Sequence, residues 1–203
     1  MNLLGPELVR DLVALIQRAE ADDAVQVLVF RSADPDDFIP HVDVTRIDAY
    51  RAEAPKLTGD PSIALLFHHL SASRLVTIAQ IEGRVRGAGS EFVLACDMRF
   101  AARESAIFGQ PEAAFGLLPG GGAAQHLTRL MGCGRAFESW SRTGSMRSRS
   151  RRRATSTAIS NLFGEGVRDP GAQSRIGAAM QRGFQAREAE RDLARMLGDL
   201  AAG

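Results

Sequence analysis

At 203 residues, 45% of them hydrophobic, the chain is long enough to bury one core, and its formal net charge of +1 offers no excess to attract nucleic acid or a membrane surface. No apolar run has the length of a membrane span, and Arg10 and Asp11 break the N-terminal segment where a signal peptide would be continuous. The expectation is a cytoplasmic protein without nucleic-acid or membrane partners, with Cys96 and Cys133 as reduced structural thiols.

Pro6 suits a first helical turn, and Leu8, Leu12, Leu15, Ile16 and Ala19 recur at helical spacing, which predicts an amphipathic helix over 6–20. Ala24 to Phe30 reads as a strand whose nearly continuous apolar run predicts burial on both faces of a parallel sheet. A polar loop, Ser32 to Asp37, leads into Phe38-Ile39-Pro40-His41-Val42-Asp43. Asp60-Pro61 is expected to cap a second helix running to about Ser71, and Leu75 to Ile81 is expected as the next buried strand. Gly83 to Gly89 then forms a turn, followed by a short helix from Ser90 to Cys96, short strands at Met98 to Ala102 and Ala106 to Phe108, and a helix from Gly122 to Met131. Strand, glycine turn and helix in repeated order predict an α/β domain of stacked ββα units. From Ser139 the character changes: residues 139–160 hold seven serines, six arginines and no acid, without any period. Beyond them Asp169-Pro170 opens a last helical stretch with Ile176, Ala179, Met180, Gly183 and Phe184 as its apolar stripe.

Most short motifs fail on inspection. Gly87-Ala88-Gly89 lies between a strand and a helix, but Phe92 stands where a dinucleotide site needs its third glycine, and the next strand has no acid placed for a ribose. Lys56 is the only lysine, so no phosphate-binding G-x-x-x-x-G-K-[ST] loop exists; Ser90 lacks a G-x-S-x-G frame, and His41, His68, His69 and His126 show no metal-ligand spacing. Two acids stand out instead, Glu91 after Arg86-Gly87-Ala88-Gly89-Ser90 and Glu112 after Gly109-Gln110-Pro111, because two carboxyls facing one centre can divide acid and base work. Alone, Glu91 could be a residue favoured by a helix dipole and Glu112 a solvated turn carboxylate.

Taken together, Ile78 to Phe92, Ala95 to Ala101, Phe108 to Glu112 and Gly116 to Gly122 resemble the enoyl-CoA hydratase/isomerase family, the crotonases. Asn2-Leu3-Leu4 and Phe38 to Asp43 are similar to that family's N-terminal and first oxyanion-loop segments, so the likeness covers roughly residues 2–138. The resemblance implies a crotonase-like spiral of ββα units with a C-terminal helical segment. It makes Glu91 the base and Glu112 the acid, and Val42 and Ala88 the main-chain N–H donors of an oxyanion hole, Val42 replacing a smaller residue and His41 a glycine common in relatives. It further implies His41, Gly87, Gly89, Pro111, Gly116, Pro119 and Gly120 as substrate-binding residues, no metal and no cofactor beyond the coenzyme A of the substrate, and a homotrimer or hexamer.

Two departures accompany the likeness. Relatives have a strand hairpin ahead of the Asn-x-Leu segment, and after Glu138 they continue with pocket-closing helices where this chain has its Ser/Arg stretch. The expected division is a catalytic core over 1–138, an irregular segment over 139–160 that is exposed and poorly ordered, and a helical segment over 161–203. Ser139 to Ser148, written in GC-rich codons and read two bases later, gives Val-Val-Pro-Asp-Gly-Phe-Asp-Ala-Glu, as relatives continue. With all but the Trp140 and Met146 codons chosen, this is an expectation of a frameshifted gene, which resequencing tests; a basic linker for coenzyme A phosphates is the other reading. The functional expectation is hydration of a 2-enoyl-CoA in fatty acid metabolism, with 3-enoyl to 2-enoyl isomerisation or a non-catalytic acyl-CoA-binding remnant as alternatives.

Overall fold

A computed structural model describes residues 1–141, 167–187, 191 and 193. Among these residues six strands form two parallel three-stranded sheets, one of odd and one of even strands. β1 (Val27–Arg31), β3 (Val76–Ile81) and β5 (Met98–Ala101) make the first; β2 (Asp37–Ile39), β4 (Arg84–Arg86) and β6 (Ile107–Gly109) make the second. Each turn of the chain therefore lays one strand in each sheet before a helix or loop returns it, which is the expected spiral of ββα units. The helices are α1 (Pro6–Ala21), α2 (Ile47–Arg51), α3 (Pro55–Thr58), α4 (Ile63–Ser71), α5 (Ala88–Ala95), α6 (Ala123–Ser141, kinked at Gly132) and α7 (Pro170–Gln181), with a 3-10 turn at Pro111–Phe115.

Helix α1 buries Leu12, Ile16 and Ala19 of the predicted stripe together with Val9 and Val13, while Leu8 and Leu15 are half-buried. Helix α4 begins two residues later than expected, because the Ser62 hydroxyl, not Asp60, accepts the Leu65 N–H and caps the turn. Asp169 caps α7 as read, accepting from Ala172 N at 3.0 Å. The short α2 and α3 carry too few residues to show a period and were not foreseen.

The first sheet corrects one expectation: β1 and β3 are buried on one face only. Phe30, Thr77, Ala79 and Ile81 point into the core, while Val27, Val29 and Val76 stay about half exposed, as do Met98 and Phe100 on β5. The registers Val27↔Val76 and Gln80↔Phe100 bring these outward residues side by side, and among the described residues no helix covers them.

Phe92, the residue that spoils the dinucleotide motif, sits at the centre of the core. Its ring meets Phe30 at 4.9 Å, Phe67 at 5.7 Å and Phe38 at 6.4 Å, and these contacts fix the position of α5. Gly89 lets the same helix press on β2: a methyl there would lie 2.0 Å from the Ile39 carbonyl oxygen. Both cysteines are free, Cys96 buried with its thiol pushed up to about 12 by burial and Cys133 exposed, so only Cys96 is structural. Residues 142–166, 188–190, 192 and 194–203 lie outside the described residues, so the expectation for the segment 139–160 and part of that for 161–203 fall there. Among the described residues no helix is long and apolar enough to cross a membrane.

Candidate active site

Helix α5 starts where β4 ends. Gly87, at φ +51°, turns the chain, and a methyl on it would come within 2.9 Å of Glu112 Oε1. Ala88 is the first residue of α5, a position whose N–H has no acceptor within its own helix. Glu91, one turn later, is 2% exposed and reaches the start of α6, where its Oε1 accepts from Gly121 N at 2.8 Å and Ala123 N at 3.0 Å. Glu112 enters on the 3-10 turn after β6 and is 8% exposed, so it is not the solvated turn carboxylate that its sequence alone allowed.

Val42 arrives from the other end of the chain. It bridges Leu4: Leu4 N donates to His41 O at 2.9 Å and Asp43 N to Leu4 O at 3.1 Å. Since successive N–H groups of an extended strand face opposite sides, the Val42 N–H turns away from Leu4. His41 is buried and donates from Nδ1 to Val42 O at 2.7 Å, the carbonyl being able only to accept.

One cavity of about 20 Å³, room for about a single water, collects these groups. Val42, Ala88, Glu91, Glu112 and Gly120 line it, together with Tyr50, Arg51, Ile63 and Gly121. The other expected residues stand outside its lining. Gly87 touches Glu112 from behind, Gly89 packs on Ile39, and Pro111 and Pro119 are buried beside the wall-forming segments. Gly116 is exposed against Arg175, and His41 stacks on Phe184.

Sequence reasoning missed Tyr50, Arg51, Ile63 and Gly121. Gly121 had a signal, since it belongs to the Gly120-Gly121-Gly122 run; a methyl there would lie 2.6 Å from Glu91 Oε2. Tyr50 and Arg51 lie on α2, which gave none. Arg51 is buried, its Nε donating to Pro61 O at 3.0 Å. Burial also holds the Tyr50 phenol above its ordinary range.

The two carboxyls differ in electrostatics. Burial raises Glu91, but the N–H groups of Ala123, Gly121 and Gly122 favour its charged form and limit the rise. Burial raises Glu112 further, the negative charge of Glu91 adds to it, and among the described residues Glu112 Oε2 meets no hydrogen-bond partner. Both carboxyls thus hold their protons to higher pH than usual, Glu112 more strongly than Glu91, and both line a cavity that admits about one water. Among the described residues no cluster of His, Cys, Asp or Glu could hold a metal ion.

Comparison with known proteins agrees with the fold. The sequence matches the enoyl-CoA hydratase/isomerase family over residues 1–153. A fatty acid oxidation complex subunit alpha from Shewanella amazonensis is 34% identical over 140 residues, covering 68% of this chain, which itself spans only 20% of that relative. A Streptomyces avermitilis structure provisionally described as an enoyl-CoA hydratase superposes with a TM-score of 0.89 at 41% identity, covering 98% of this chain and 89% of that one. An enoyl-CoA hydratase from Bacillus anthracis, at 24% identity and a TM-score of 0.59, covers 92% of this chain and 79% of its own, and shares the fold. The chain belongs to the enoyl-CoA hydratase/isomerase family and has its crotonase fold.

Proposed function

We propose that the chain is an enoyl-CoA hydratase-like lyase that adds water across the C2–C3 double bond of a 2-enoyl-CoA. The observation that carries this is the meeting of Glu91 and Glu112, both buried and unequal in proton affinity, on one water-sized cavity. Hydration needs both at once. Glu91, held ionised by Gly121 and Ala123, takes a proton from water as the water oxygen bonds to C3. The π electrons move through C2 to the thioester oxygen, and Glu112 gives its proton to C2, so that one H and one OH are added. Proton exchange then returns each acid to its starting state.

The thioester oxygen gains charge in the transition state. The Val42 and Ala88 N–H groups are the donors this reading assigns to it, each worth about 3 kcal/mol in a water-excluded site. Being main-chain groups, they tolerate the unusual His41 and Val42 side chains. The same reading includes a cytoplasmic home and the family's homotrimer or hexamer, the latter tested by sedimentation of the purified chain.

The function is tested by incubating crotonyl-CoA with the purified protein and following loss of the conjugated thioester's absorbance. An assay with a 3-enoyl-CoA runs beside it. Hydration supports the proposal; double-bond migration without hydration replaces it with the isomerase reading, which needs one carboxylate shuttle.

A further inference from the structure

The segment after α7 played no part in the expected site, yet it grips the run that carries Val42. Phe184, buried at 3% exposure, stacks on the His41 ring at 4.5 Å with 16° between planes, and Phe115 backs it at 5.3 Å. Gln185 Oε1 accepts from Val44 N at 3.1 Å, and its Nε2 donates to Asp43 Oδ1 at 3.3 Å. Asp43 Oδ1 in turn takes the N–H and hydroxyl of Thr45. Arg187 continues the grip through Asp34 at 2.6 Å and Asp36 at 3.2 Å.

Gln185 makes these bonds from φ +71°, the one positive φ at a non-glycine position among the described residues. A left-handed backbone is costly for a residue with a Cβ and persists only where its surroundings impose it. Those surroundings include the main chain of residue 44 and the side chain of residue 43. Leu4 holds the His41 carbonyl and the Asp43 N–H, Gln185 holds Val44 and Asp43, and Phe184 holds the His41 ring. None of these anchors uses the Val42 N–H.

We propose that Phe184 and Gln185 are positioning residues: they fix segment 41–44 so that the Val42 N–H is aimed at the thioester oxygen. This rests on the reading of Val42 as an oxyanion donor given above. The two residues touch no substrate; they act through His41, Asp43 and Val44. Their removal misaims a donor and leaves the carboxyls unchanged, so it weakens the hold on a developing oxyanion more than the hold on a ground-state thioester.

Gln185→Gly separates positioning from structure, because glycine adopts the left-handed conformation freely while losing the side-chain bonds to Val44 and Asp43. The readout is binding of acetoacetyl-CoA, whose enolate carries an oxyanion, against butyryl-CoA, a neutral saturated thioester, measured by calorimetry on the full chain. Wild type is expected to prefer the enolate. Gln185→Gly should reduce that preference about tenfold, with butyryl-CoA affinity within about twofold and the melting temperature unchanged or higher. Phe184→Leu, which keeps apolar volume but loses the stack on His41, should act in the same direction. Arg187→Ala, whose ion pairs run to Asp34, Asp36 and Asp37 and not to residues 41–44, should not. If wild type shows the preference and both Gln185→Gly and Phe184→Leu retain it, the positioning role is wrong and the oxyanion reading stands. If wild type shows no preference, the Val42 reading fails and this inference fails with it.

Discussion

Glu91 and Glu112 line the same cavity, but Glu91 Oε1 accepts two main-chain N–H groups while Glu112 Oε2 meets no hydrogen-bond partner among the described residues. Donors stabilise a carboxylate, and their lack stabilises a carboxylic acid, so the asymmetry supports the proposed roles of Glu91 as base and Glu112 as acid. Replacing either by glutamine should lower the hydration rate by at least about 10²-fold, the scale of losing a placed acid or base. Because both groups act on one water and one double bond, the double variant should be little slower than the worse single one. Steady-state rates check this, with thioester binding by calorimetry expected to survive both changes.

The rate should be bell-shaped in pH. The base must be ionised, which sets a rising limb near pH 6, and the acid must keep its proton, which sets a falling limb near pH 8. On the lower limb Glu112 is still protonated and uncharged, so Glu112→Gln should leave that limb in place while abolishing the upper one. A pH profile of kcat/KM for wild type and variant reads both effects.

Stability should carry the same signature. The folded-state pKa of Glu112 lies above its unfolded value, so its contribution is fully present below the unfolded pKa and is lost as pH rises through about 8. Glutamine removes that loss. Glu112→Gln should therefore melt higher than wild type at pH 9, by at least about 2–4 °C, the shift that 1 kcal/mol makes in a domain of this size. Near pH 5 the two should melt together. Thermal scans at the two values decide it.

The spiral and the glycine turn were legible because each leaves a local trace. Helix α1 shows its period, and Gly87 and Gly89 stand where the chain must turn and pack closely. What escaped was whatever depends on the far side of an element. A run such as Val25 to Phe30 reads the same whether one or both faces are covered, and only the fold shows Val27 and Val29 exposed. Tyr50 and Arg51 come from a helix of five residues, too short for any period to reveal. Gln185 meets Val44 from far along the chain, and a left-handed glutamine has no sequence signature.

Close approach makes two glycines separable by effect. Gly121→Ala puts a methyl 2.6 Å from Glu91 Oε2 and should cost activity first, by displacing the carboxylate. Gly89→Ala puts one 2.0 Å from the main chain of Ile39 and should cost stability first, at least about 1–3 kcal/mol. Denaturant midpoints and specific activities of the two variants, measured side by side, should rank them in opposite order.

The central claim is that both carboxyls serve one hydration, and solvent-isotope labelling tests it most directly. Crotonyl-CoA is incubated with the protein in heavy-oxygen, deuterated water and the product analysed by mass spectrometry and NMR. The account predicts 3-hydroxybutyryl-CoA with solvent oxygen on C3 and one deuterium on C2, formed at least about 10²-fold more slowly by Glu91→Gln or Glu112→Gln. Recovery of the thioester without solvent oxygen, or labelled product undiminished in either variant, would contradict it.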